Sequence, residues 1–221
     1  MDRASYEIPV TLKNSMIDVE KEYCIVVSFV LKENTIWEKA GYEIAFGQHM
    51  IKKPVSEYSC DKSVELVVGN GNILVRGENF KALFSRMNLG MVSYVYGGIE
   101  MLPNTIPLPN FWRTPTNNAS GNMMPQRYAQ WKIASMYISH RNGGMFDNVP
   151  TKVEEKDNTV TVTYTYFMPT TPAGKCQVSY TVFGDGTIET KLMYDPVEGL
   201  PDMPEFGMMF WFNADYDNLT W

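Results

Sequence analysis

With 221 residues, 44% hydrophobic and 20% charged, the chain has the make-up of a folded protein large enough for one big β domain or two smaller ones, not of a disordered one. A net charge of −6 without any basic run excludes a phosphate-backbone partner, so nucleic acid drops out as a ligand class. No apolar leader core follows Met1 and no stretch approaches the ~20 apolar residues of a membrane span, so the expectation is a soluble, cytoplasmic protein without membrane contact.

Period-two alternation recurs along the sequence, as a strand requires when one face is buried. The first such runs are Tyr23–Leu31 and Tyr42–Met50. A polar stretch from Lys52 through Pro54 to Ser63 interrupts them and marks a domain boundary, with one unit over 1–55 and a second over 62–221. Further strands are predicted at Val64–Val68, Ile73–Arg76, Phe80–Ser85 and Met91–Tyr96. From Leu102 to Asn122 regular patterning stops, and prolines and asparagines accumulate; a segment of that kind is usually partner-facing or functional. One short helix is expected over Pro125–Ala134, with Tyr128, Trp131 and Ser135 on one side.

The clearest strand is Thr159–Tyr166, which puts Val160, Val162, Tyr164 and Tyr166 on one face and threonines on the other. Cys176–Phe183, the turn Gly184-Asp185-Gly186 and Thr187–Met193 form a predicted antiparallel hairpin, and Phe206–Phe212 a last strand. Strands this frequent predict an all-β fold, an antiparallel β-sandwich. Cys24, Cys60 and Cys176 are too few and too widely spaced for a zinc site, and read as buried or half-buried free thiols in a reducing compartment. His49 and His140 are ordinary histidines by the same reading.

Three segments, in order, carry a resemblance. Thr35-Ile36-Trp37-Glu38-Lys39-Ala40-Gly41-Tyr42-Glu43-Ile44-Ala45 is similar to a stretch in the immunoglobulin-like domain of family 2 β-galactosidases that follows their catalytic barrel. Phe84-Ser85-Arg86 through Leu102 resembles the opening hairpin of their C-terminal domain. Phe111-Trp112-Arg113-Thr114-Pro115-Thr116-Asn117-Asn118-Ala119-Ser120-Gly121-Asn122 resembles their F-W-R-A-P-T-D-N-D-x-G-N signature, with the expected W-K at Trp131-Lys132.

The resemblance implies a partial immunoglobulin-like sandwich over 1–55, then the first part of a supersandwich similar in fold to galactose mutarotase. It implies a β-galactosidase region without the barrel's two catalytic glutamates, contributing scaffold and an active-site loop. The loop candidates are Asn117, Asn118, Gly121 and Asn122, with Asn122–Gln126 as the moving part. Gly121 is either a hinge or the end of a turn. Trp112 and Arg113 either line a sugar groove or fill core and bond loop carbonyls. Asn117 and Ala119 stand where the family has aspartates, so charge-assisted bonds made there would be lost.

Retaining glycosidases need two carboxyl groups about 5 Å apart, and no spacing here pairs Glu100 with Asp185 or Glu189 with Glu205; no catalytic residue is assigned. No cofactor is expected in this chain; the magnesium and sodium of relatives belong mainly to domains outside it. The expected partners are those domains, or a large subunit, and a carbohydrate substrate, with self-association through unpaired sheet edges. A stand-alone carbohydrate-binding module is the alternative. A mutarotase-like epimerase would need a histidine facing an acid, and no motif gives His140 that role.

Overall fold

The computed structural model describes residues 23–52, 58–103, 105–139 and 149–218. Pro54 within the boundary stretch, Asn104, His140 and the Arg141–Gly144 turn lie outside the described residues. The chain divides into two compact units, Met1–Tyr58 and Ser59–Trp221.

In the first unit, β1 (Tyr23–Val30) pairs antiparallel with β2 (Glu43–Lys52). The loop between them is built by the residues of the first motif. Leu31 and Tyr42 close it by a backbone bond of 2.9 Å, Asn34 Oδ1 accepts from Ala40 N at 2.9 Å, and Gly41 takes a φ of 90°. Trp37 then rests edge-on against Tyr42, ring centroids 5.5 Å apart.

The second unit is an antiparallel sandwich. One sheet is a meander in the order β3 (Glu65–Val68), β4 (Asn72–Arg76), β5 (Phe80–Ser85), β6 (Gly90–Tyr96) and β7 (Ile99–Glu100). After β8 (Leu108–Asn110) come three short helices, α1 (Asn117–Gly121), α2 (Met124–Arg127) and α3 (Ala129–Tyr137). The second sheet follows as β9 (Lys152–Lys156), β10 (Thr159–Met168), β11 (Gly174–Val182) and β12 (Ile188–Tyr194), paired in sequence order. Finally β13 (Gly207–Met209) pairs with β8.

The pleat sorts the side chains as the alternation predicts. Along β10, Val160, Val162, Tyr164 and Tyr166 are buried, and across from them lie Val182, Tyr180, Val178 and Cys176 of β11. These meet Ile73, Val75, Phe80, Ala82 and Phe84 of the other sheet. Buried apolar area is worth roughly 25 cal/mol per Å², so this two-sided layer is the main force holding the sheets together. On the outer face the hydroxyls pair across strands, Thr161 with Thr181 at 3.0 Å and Thr163 with Ser179 at 2.9 Å. The β11–β12 turn closes by Phe183 N to Thr187 O at 2.9 Å, with Gly186 at φ 97°; a Cβ there would meet the Tyr96 ring at 2.8 Å.

The structure departs from expectation in four places. The signature segment is not wholly irregular, because Thr116 caps α1 by accepting from Ala119 N at 3.3 Å. The helix expected over 125–134 is split at Tyr128, which departs from helical backbone at φ −116°, closes α2 by donating to Met124 O at 3.0 Å and opens α3 by accepting from Trp131 N at 3.0 Å. The strand expected over 206–212 covers only 207–209, since its partner β8 is itself three residues long. Cys24 is exposed, whereas Cys60 is half-buried and Cys176 buried; all three are free thiols.

Candidate functional site

The signature segment leaves β8 and is fixed from below by α3. Phe111 is fully buried, and its backbone N–H donates to Ser135 Oγ at 2.8 Å, while that hydroxyl donates to Trp131 O at 2.9 Å. Trp131 is buried between Phe111 and Tyr194, and its indole N–H donates to Pro201 O at 2.9 Å. One side chain of α3 thereby holds the loop over 201–204 beside the signature segment.

Arg113 adds a second tie, donating from Nε to Pro204 O at 3.2 Å and from Nη1 to Thr114 O at 3.4 Å. The result is a depression of about 430 Å³, lined by Arg113, Asn118, Asn122, Tyr128, Asp202 and Met203 among others. That size suits a ligand as small as one or two sugar rings. Its polar groups are a guanidinium, two amides, the hydroxyls of Thr116 and Tyr128 and a single carboxylate, which suit hydrogen bonding to hydroxyls. Arg127 donates to Asn122 Oδ1 at 2.5 Å, and its guanidinium lies 5.2 Å from the centre of the Tyr128 ring.

Of the sequence candidates, Arg113, Asn118 and Asn122 come together here. Asn117 and Gly121 are in α1 but are not lining residues. Trp112 lines a different depression, of about 310 Å³, with Trp211 and Met136. The motif therefore separates its neighbours, sending Trp112 and Arg113 to different surfaces. Gly121 has ordinary helical backbone; the left-handed residue is Met123, at φ 54° and ψ 36°. Asp202 and the loop around it escaped sequence reading, for the only hints were Pro201 and Pro204, which flank it in any surface loop.

Two acids weighed as a catalytic pair are held in structural work. Glu100 accepts from Ser93 Oγ, Tyr94 N and Leu102 N. Asp185 accepts from Thr187 N at 3.0 Å and from its hydroxyl at 3.2 Å. Among the described residues no three His, Cys, Asp or Glu side chains converge as a metal site. No helix among them is long and apolar enough to cross a membrane.

The sequence of this segment matches a known family. The family model described as the β-galactosidase small chain covers residues 76–221, and that of β-galactosidase domain 4 covers 2–52. The chain belongs to the β-galactosidase small-chain family. Among similar proteins, a β-galactosidase of Clostridium acetobutylicum is 35% identical over 91% of this chain and 22% of its own length. One from Halalkalibacterium halodurans is 34% identical over 90% of this chain and 19% of its own. A β-galactosidase small subunit of Latilactobacillus sakei is 32% identical over 68% of this chain and 51% of its own length. The chain thus spans about a fifth of the length of the first two relatives. In this small-chain unit, the depression beside α1 is formed by the signature segment and by the loop that Trp131 secures.

Proposed function

We propose that the chain is the accessory part of a β-galactosidase, walling and shaping the mouth of a site whose cleaving carboxylates lie in other domains or in a large subunit. The observation that carries this is the depression beside α1, which has hydrogen-bonding groups suited to a sugar but one carboxylate, Asp202. A retaining glycosidase needs two, about 5 Å apart. Asn118 and Asn122 offer amides to sugar hydroxyls, and Arg113 and Trp131 keep the walls in register. The stretch after Gly121, Asn122–Gln126, is the part that would order against substrate. The substrate class is terminal β-galactosides, and magnesium and sodium belong mainly to the parts of the enzyme outside this chain. The free thiols support a reducing, cytoplasmic setting. In isolation the chain self-associates through its sheet edges and exposed aromatic side chains.

Complementation tests the reading. Mixing the chain with the N-terminal, barrel-containing portion of the same enzyme should restore hydrolysis of a chromogenic β-galactoside that neither part hydrolyses alone. Hydrolysis by the lone chain, or none under any mixing condition, would refute the accessory role. Calorimetric binding of galactose or lactose by the lone chain, with no gain on mixing, would favour a free-standing carbohydrate-binding module.

A further inference from the structure

The hollow of about 310 Å³ that receives Trp112 is built from three parts of the chain. Trp112 and Thr114 enter it from the signature segment, on either side of Arg113, which lines the depression beside α1 instead. Met209 and Trp211 also line it, while Phe210 and Phe212 do not and stack on each other with their planes 9° apart. That is the alternation of a strand carried past the end of β13. Lys132 and Met136, four residues apart on one flank of α3, complete the lining. The hollow is open to solvent, for Trp211 is 41% exposed.

The lining selects its ligand. No Asp or Glu is part of it, so a cationic ligand would find nothing to pair with. Among the described residues the Lys132 ammonium and the Thr114 hydroxyl enter no hydrogen bond or ion pair. The indole N–H groups of Trp112 and Trp211 are also unbonded there, unlike that of Trp131, which donates to Pro201 O. Four free donors thus surround apolar side chains. An apolar protein segment laid over them would strip their water and leave them unsatisfied. A pyranose carries oxygens around its rim that accept from such donors. Its flat side presents C–H groups, polarised by those oxygens, to the negative face of an indole ring. The volume is near the lower limit of ligand sites, roughly 300 Å³, and takes one sugar ring.

We propose that this hollow is a second sugar subsite, separate from the depression beside α1, which holds one pyranose of a β-galactoside by stacking on Trp211 and by hydrogen bonds from Lys132 and Thr114. The choice of galactosides rests on the accessory role above. The test follows the indole N–H resonances of the full chain, which has five Trp, during titration with lactose and with methyl β-galactoside. The Trp112 and Trp211 signals should shift saturably in the millimolar range, and that of Trp131 should stay in place. Trp211→Ala should weaken binding, read at Trp112, by about tenfold or more, and Lys132→Met by about fivefold. Both side chains are exposed, and unchanged circular dichroism checks that each variant is folded. Lys132→Met carries the test alone if Trp211→Ala does not fold. No shift in the folded chain, or binding that survives both substitutions, would overturn the proposal. So would binding abolished by Asn122→Ala, which would put the sugar beside α1. Complementation reads the accessory role separately: restored hydrolysis without sugar-induced shifts removes the subsite and leaves the role, whereas shifts without restored hydrolysis keep the subsite and remove the role.

Discussion

Three tyrosine hydroxyls lie inside the sandwich, and burial raises the ionisation of all three above the ordinary phenol range, so each is a neutral donor. Their partners differ. Tyr166 donates to Leu89 O at 2.8 Å and Tyr164 to Gly90 O at 3.4 Å, but the buried Tyr180 hydroxyl has no partner among the described residues. An unsatisfied buried hydroxyl costs about 1–3 kcal/mol, and a satisfied one contributes about 1. Tyr180→Phe should therefore raise the urea midpoint and Tyr166→Phe lower it. Equal losses in the two variants would show that Tyr180 is bonded after all.

Glu100 supplies the acid-sensitive counterpart. Burial raises its carboxyl, but hydrogen bonds from Ser93 and from the backbone of Leu102, Tyr94 and Met101 outweigh that and hold it below the ordinary 4.5. The folded state prefers the carboxylate, so its contribution is complete above the unfolded pKa and is lost as pH falls through the folded one. The group is largely exposed, which limits the effect to under about 1 kcal/mol. Glu100→Gln should be the less stable protein at pH 7, with the gap to wild type closing below pH 4.5. A gap that stays constant into acid would show that the carboxylate's charge is irrelevant.

Among the elements, the short helices beside the candidate site invite the sharpest test. Gly121 closes α1 with ordinary helical backbone, and an added Cβ would meet nothing within 4 Å. Glycine in a helix costs roughly 0.5–1 kcal/mol relative to alanine. Gly121→Ala should therefore stabilise the chain by about that amount, as read from thermal unfolding. A loss instead would mean that position 121 adopts a backbone barred to alanine; a drop in complemented hydrolysis alongside the gain would mark it as a moving point. The left-handed backbone two residues on, at Met123, was not legible, since an exposed methionine carries no signal for it.

The strands were legible because alternation shows wherever one face is buried, as in β10, where every second side chain is. β7 and β8 are too short to display a period, and β9, though as long as β4, is Lys-Val-Glu-Glu-Lys with Val153 its single apolar residue, so no alternation shows. The site was legible as a segment but not as a constellation. Asn118 and Asn122 stand in the signature, whereas Asp202 is brought to them by the bonds of Trp131 to Pro201 and of Arg113 to Pro204, contacts 70 and 91 residues apart.

At the scale of the molecule, among the described residues every member of the hydrophobic core, from Ile73 to Val182, belongs to the second unit, as do the half-buried side chains packed on it. The described part of the first unit is a two-stranded hairpin whose Val26, Phe29, Ile44 and Phe46 are exposed. Two strands alone are marginal in water, because one hairpin buries too little apolar area to offset the entropy of ordering it. A polypeptide of residues 59–221 should therefore unfold in a single cooperative transition with a midpoint close to that of the whole chain. A peptide of residues 23–52, the described hairpin, should show no sigmoidal transition by circular dichroism. A cooperative transition in that peptide would mean that the two strands close a core of their own. Loss of cooperativity in 59–221 would mean that the sandwich draws its stability from the hairpin unit rather than from the two facing sheets.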